Sequence, residues 1–182
     1  GGPDVVFSSL ADVQRRCDII TFHTPLTPRG KQHPTWHLCD TQLLAGLRHC
    51  GLLLNASRGA VADNAALASW QGGDIAIDCW ENEPHIMTDL LKKCVVATPH
   101  IAGYSLEGKQ RATAMLLAAL NDHYGWQLAL PTIAAPATGA SQVSLGGIMD
   151  SYDIAADTEA LRHDPSQFER LRNTYPLRHE VV

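Results

Sequence analysis

GLLLNASRGAVADNAALASWQGGDIAIDCW, residues 51–80, fits two apolar runs and an intervening helical segment into thirty residues. Leu52 to Asn55 reads as a short buried strand. Asp63 is a cap for the helix in "NAALASW", Gly72 and Gly73 stop that helix, and "DIAI" opens a second strand. Strand, helix and strand in so little chain make a β-α-β crossover, the connection that joins parallel strands. An α/β fold with a parallel sheet follows.

The same alternation extends in both directions. Upstream, "SLADVQRRC" opens with Ser9 and carries Asp12 three residues later, a capping pattern for a short helix ending at Cys17. "DIITFHTP" gives a strand from Ile19 to Phe22 ended by Pro25. A polar loop with Pro28, Gly30 and Pro34 leads to a helix, "DTQLLAGL", capped by Asp40. Downstream, "MTDLLKKC" is a helix capped at Thr88, and Val95 to Thr98 is a strand broken by Pro99. Ser105 caps a single long helix to Tyr124, in which Leu106, Met115, Leu116, Ala119 and Leu120 stand at partial helical spacing. After Gly125 the texture changes to "LALPTIAAPATGASQVSLGG", which reads as a linker and sets a boundary near residue 125. Two short helices follow, around Ser151 to Leu161 and Ser166 to Thr174, the second with Phe168, Leu171 and Arg172 arranged for docking.

Composition narrows the function classes. With 45% apolar and 18% charged residues and a net charge of -5, the chain is globular and lacks the basic footprint of a nucleic-acid binder. Five cysteines, an odd number with no C-x-x-C pair, read as reduced and mostly buried thiols. No apolar run approaches bilayer length and "GGPDVVFSS" has no signal-peptide pattern, so the protein reads as cytoplasmic with no membrane partner.

Three residues that follow consecutive strands belong on one sheet edge: Arg58, Glu83 and His100. Ligands of open α/β sheets bind outside the carboxyl ends of the strands, so these groups are placed for chemistry. An arginine grips a carboxylate through two parallel hydrogen bonds, and a glutamate beside a histidine orients the ring and favours its protonated form. Each has a plainer reading: Arg58 as a loop bridge, Glu83 as a solvated acid, and Asp78, Glu81 and Glu83 as a metal cluster. The metal reading is the weakest, because carboxylates near a histidine do not by themselves make an oxygen cage. His33 and His37, four apart with Cys39 nearby, have ligand-like spacing, but Pro34 argues against a regular helix there. No metal is expected.

"NASRGAVADN", "DCWENEP" and "TPHIAGYSLEGK" resemble, in order, signature segments of the D-isomer-specific 2-hydroxyacid dehydrogenases, in which an Arg, a Glu and a His act together beside a nicotinamide cofactor. The tyrosine of "HIAGYSLEGK", with "MDSYDIAADTEALR" and "FERLRNTYPLRHE", is most similar to the branch that oxidises a phosphorylated 2-hydroxy acid. The resemblance implies a partial Rossmann-type nucleotide-binding domain over residues 1–104 with its parallel sheet flanked by helices. It further implies a long helix returning to the substrate domain over 105–124, and part of a C-terminal dimerisation domain over 125–182. It assigns Arg58 to the substrate carboxylate and keto oxygen, His100 to the hydroxyl proton, and Glu83 to support of the imidazole. NAD is the implied cofactor, with contacts at Thr24, Ala56, Ser57, Arg58, Asp78 and Gly103, and Tyr104 is the implied substrate contact alongside Arg58. A homodimer is the implied state of the full-length protein.

The chain departs from that pattern in two places. It contains no G-x-G-x-x-G, so it reads as a fragment that begins after the ribose-binding strand and is inactive alone. The segment from Arg58 to Asp78 is shorter than the family pattern by about one helical turn, which bears on where Asp78 falls. Two other readings stay open: a dehydrogenase of the phosphoglycerate or glyoxylate reductase type, and a non-catalytic nucleotide-sensing or assembly module.

Overall fold

A computed structural model describes residues 8–133, 146, 152–176 and 178–180. Most of the linker expected after Gly125, and Ser151 at the head of the first tail helix, lie outside the described residues. The chain divides into two compact units, Gly1–His100 with Ile154–Arg172 and Ile101–Asp153 with Asn173–Val182.

The first unit is built on four parallel strands in the order β1-β2-β3-β4: β1 Ile19–Phe22, β2 Leu52–Asn55, β3 Asp74–Ile77 and β4 Val96–Ala97. Register aligns Ile20, Leu53 and Ile75 in one row and Phe22, Asn55, Ile77 and Ala97 in the next. Every residue in those two rows is buried, while Ile19 and Thr21 of β1 are exposed and Leu52 and Leu54 of β2 half-buried, so the two faces of the sheet are covered unequally. Helix α1, Leu10–Arg16, leads into β1, and the helices α2 Thr41–Gly46, α3 Asn64–Ser69 and α4 Thr88–Lys93 connect successive strands. Leu43, Leu44, Leu67, Leu90 and Leu91 of these helices complete the core with the strand residues. Ser9, Asp40 and Asp63 cap α1, α2 and α3 as expected, each accepting from backbone N–H groups of the first turn.

Helix α6, Ile154–His163, and helix α7, Phe168–Asn173, put Leu161 and Phe168 into that same core, the docking role expected of Phe168. The Thr158 hydroxyl accepts from the Ala97 amide at 3.2 Å and so takes up a donor of the short β4.

Four expectations are corrected in detail. The cap of α4 is Met87, with no side-chain hydrogen bond, and Thr88 is the first helical residue. Helix α3 ends at Ser69, because Trp70 turns extended to bury its ring. Gly72 and Gly73 serve close approach instead: a β-carbon at Gly72 would strike the Trp70 indole and one at Gly73 the Cys50 carbonyl. The strand expected over Val95 to Thr98 is only two residues long.

The fourth correction belongs to the second unit. Its helix α5, Leu106–Tyr124, is capped by Ser105 and closed by Gly125 at φ 68°, as its sequence predicts. Its apolar residues do not form a buried face, since Met115 and Leu116 are 74% and 62% exposed. The side chain it buries is Glu107, which accepts from His179 Nδ1 at 2.7 Å and from the Glu180 amide at 3.0 Å.

All five cysteines are free thiols, and Cys39, Cys50, Cys79 and Cys94 are buried as expected. Burial pushes the Cys39 and Cys94 thiols up to about 12, which keeps them protonated. No helix among the described residues is long and apolar enough to cross a membrane.

Candidate active site

Because all four strands run the same way, the segments after them meet at one edge of the sheet. The loop after β2 is tied down by Asn55, a polar residue at an inward position of an apolar strand. Its Oδ1 accepts from the Ser57 amide and hydroxyl at 3.2 and 2.9 Å, and its Nδ2 donates to the Arg58 carbonyl at 3.0 Å. Arg58 donates through Nη1 to the Ser57 carbonyl at 2.6 Å, and the residue is exposed. Beneath it, Gly59 lies so close to the Trp80 carbonyl that no β-carbon fits.

The loop after β3 is anchored by the Trp80 indole, which donates to the Thr98 carbonyl at 2.9 Å. Glu83 folds back on this loop: Oε1 accepts from the Trp80 amide at 2.7 Å, and Oε2 lies 2.8 Å from His100 Nδ1. After β4, the Thr98 hydroxyl donates to Asp78 Oδ1 at 2.7 Å and the His100 amide to the Asp78 carbonyl at 2.9 Å. His100 sits at φ 58°, a left-handed conformation that non-glycine residues adopt where their surroundings hold them there. An ionised carboxylate only accepts, so Nδ1 carries the hydrogen shared with Glu83. Nε2 is left open, without a partner among the described residues.

Arg58, Glu83 and His100, the three residues singled out from sequence, line one cavity of about 390 Å³ with Leu26, Trp36, Trp80 and Glu81 among its other walls. The ring presents a proton acceptor, a carboxylate holds the ring, and a guanidinium stands by to hold an anion. That set can take a proton from a hydroxyl next to a carboxylate.

Of the residues expected to contact a cofactor, Ala56, Ser57 and Asp78 lie at the ends of β2 and β3, with Ser57 and Asp78 buried. Thr24 follows β1, and its hydroxyl is closed off from solvent with no hydrogen-bond partner. An orphaned hydroxyl at the ligand-binding edge of a Rossmann-type sheet fits a bound polar cofactor. Gly103 and Tyr104 belong to the second unit. A β-carbon at Gly103 would meet nothing, and the Tyr104 ring packs under Lys109 Nζ at 3.9 Å and edge-on to Tyr175 at 6.2 Å.

The acidic trio Asp78, Glu81 and Glu83 is not a cluster, since each carboxylate serves a different partner. Glu81 pairs with His37, Nε2 to Oε1 at 2.6 Å, and Asp63 lies 3.7 Å from His37 Nδ1. His37 therefore pairs with carboxylates and not with His33 or Cys39, its companions in the ligand-like spacing. Spacing along the chain could not show this, because His37 and Glu81 are 44 residues apart. Asn55 could have been found as the polar residue in an otherwise apolar strand.

A parallel sheet with crossover helices and a polar site at its carboxyl edge is the architecture of a Rossmann-type nucleotide-binding domain. Residues 3–102 match the family model described as D-isomer specific 2-hydroxyacid dehydrogenase, NAD binding domain, and the chain belongs to this family. It is 44% identical, over 98% of its length, to erythronate-4-phosphate dehydrogenase of Edwardsiella ictaluri, and 39% identical, over 96%, to that of Bacteroides fragilis. In each case it spans 52% of the relative, about half the length. Among solved structures it is similar to D-mandelate dehydrogenase of Rhodotorula graminis in its holo form, with a TM-score of 0.53 and 26% identity over 63% of this chain and 33% of that one. The TT0316 protein of Thermus thermophilus gives a TM-score of 0.54 and 29% identity over 67% and 40%.

Proposed function

We propose that this chain carries the catalytic half of a 4-phosphoerythronate dehydrogenase, which oxidises 4-phospho-D-erythronate to 2-oxo-3-hydroxy-4-phosphobutanoate in vitamin B6 biosynthesis. The observation that carries the reading is the Glu83–His100 pair with Nε2 open in the cavity that Arg58 lines. Arg58 binds the substrate carboxylate and the oxygen at C2, which fixes the hydroxyl toward His100. His100 Nε2 takes the hydroxyl proton, and Glu83 stabilises the imidazolium that forms. The C2 hydrogen leaves with its electron pair as hydride, so the alcohol is oxidised by two electrons and the ring keeps the proton. NAD, when bound, supplies the acceptor for that hydride. Thr24, Ala56, Ser57, Arg58, Asp78 and Gly103 are the residues that would hold it, and Tyr104 adds a substrate contact. No metal takes part, the protein works in the cytoplasm, and its full-length form is a homodimer. The 37–44% identity to erythronate-4-phosphate dehydrogenases favours this substrate over those of other family members.

The test is an absorbance assay of NAD reduction by the protein containing this chain, with 4-phospho-D-erythronate, 3-phosphoglycerate and D-lactate as substrates. Preference for the first is expected, with a loss of roughly 10²–10⁴-fold in His100→Ala, the usual contribution of a general base. Turnover of 3-phosphoglycerate or D-lactate in preference overturns the substrate, and full activity of the variant overturns the role of His100.

A further inference from the structure

Behind the Glu83–His100 pair stands a second histidine–carboxylate pair. The His37 ring is stacked on Trp36 with centroids 3.6 Å apart, and the Arg29 guanidinium covers the Trp36 ring at 4.0 Å. Its Nε2 meets Glu81 Oε1 at 2.6 Å, and the other Glu81 oxygen accepts from the Asn64 amide at 3.0 Å. The Glu81 amide in turn donates to Asn64 Oδ1 at 3.3 Å. Glu81 is thus fastened on three sides, and it lies between Trp80, whose amide holds Glu83, and Glu83 itself. Non-glycine residues with positive φ among the described residues are His33, His37, Asn82 and His100. Two of these, Asn82 and His100, line the cavity, and a third, His37, fastens the loop that carries Asn82. Backbone held in sparsely populated conformations persists only where its surroundings over-determine it.

His37, Asp63 and Glu81 offer donor atoms within 4.8 Å of one another, a spacing that also suits a cation. The hydrogen bonds argue otherwise: Asp63 Oδ1 caps α3, both Glu81 oxygens accept N–H hydrogens, and the two ring nitrogens of His37 face different carboxylates.

We infer that His37 is a positioning residue: through Glu81 it fixes the 80–83 loop, and so sets where the Glu83 carboxylate holds the His100 ring. The inference rests on the proposed function for the roles of Glu83 and His100. Removing the His37 donor leaves a half-buried Glu81 oxygen without its partner, and the loop relaxes to find one.

The experiment compares wild type, His37→Phe and His37→Gln in the protein containing this chain. Phenylalanine keeps a ring on Trp36 without the donor, while glutamine restores an N–H near the position of Nε2. In His37→Phe, kcat is expected to fall roughly ten- to a hundredfold, the scale of misplacing a catalytic group, with KM within about twofold. His37→Gln is expected to recover most of that loss. The ¹⁵N resonances of the His100 ring are read in parallel and are expected to move in the phenylalanine variant and return in the glutamine one. If His37→Phe does not fold, Glu81→Ala removes the same contact from the other side and carries the same expectations. Unchanged kcat with unchanged His100 resonances overturns the inference, as does a glutamine variant no better than phenylalanine, which marks a packing role. The ring resonances are read without turnover, so a wild type inactive on phosphorylated hydroxy acids sinks the substrate reading and leaves this measurement decisive.

Discussion

Glu107 has no exposed surface, yet it keeps its charge because three donors converge on its carboxylate. The His179 ring, the Glu180 amide and its own backbone N–H hold the carboxyl down to about 2 from an ordinary value of 4.5. A group whose pKa is lowered on folding stabilises the fold above its unfolded value and loses that contribution as pH falls through the folded one. The contact between residues 178–180 and the start of α5 is therefore expected to hold at neutral pH and to weaken between about pH 4.5 and 2. Carbon-13 NMR of the Glu107 carboxyl checks it, and a midpoint near 4.5 is the outcome that sinks the idea. Glu107 also shows which residues a sequence conceals. Arg58, Glu83 and His100 stand in the loops that follow strands, where the chain order of a parallel sheet announces them. Glu107 depends on a partner 72 residues away, and Glu81 on one 44 residues away, and no motif spacing encodes either.

At the scale of elements, the strands and helices were legible because burial in a parallel sheet writes itself as short apolar runs, and capping as Ser or Asp ahead of a helix. Their ends were less so, since tertiary contacts decide them. Trp70 leaves α3 early to reach the core, and α4 begins one residue earlier than its threonine suggests. The second case is testable. Thr88 makes no capping bond, so Thr88→Ala is expected to change stability by less than about 0.5 kcal/mol. Met87→Ser supplies the missing acceptor at a 38% exposed site and is expected to add about 1 kcal/mol. Denaturant midpoints of the two variants distinguish these outcomes. A larger loss from Thr88→Ala than from any change at Met87 would restore Thr88 as the cap.

At the scale of the molecule, the chain comes back to its own sheet. Helices α6 and α7 deliver Leu161 and Phe168 to a core whose other members precede residue 98. Phe168 is 1% exposed, and Phe168→Ala is expected to cost about 3–5 kcal/mol, measured by chemical unfolding of the protein containing this chain. A cost under about 1 kcal/mol would show that the tail only rests against the sheet. This return was the least legible part of the architecture, because a helix of ten residues carries no mark of the strand it will cover. The bond from the Ala97 amide to the Thr158 hydroxyl spans 61 residues, and that interval is also a time. At roughly 5–20 residues per second the ribosome takes several seconds to add that length. Over that interval the Ala97 amide is without the partner that the finished fold gives it.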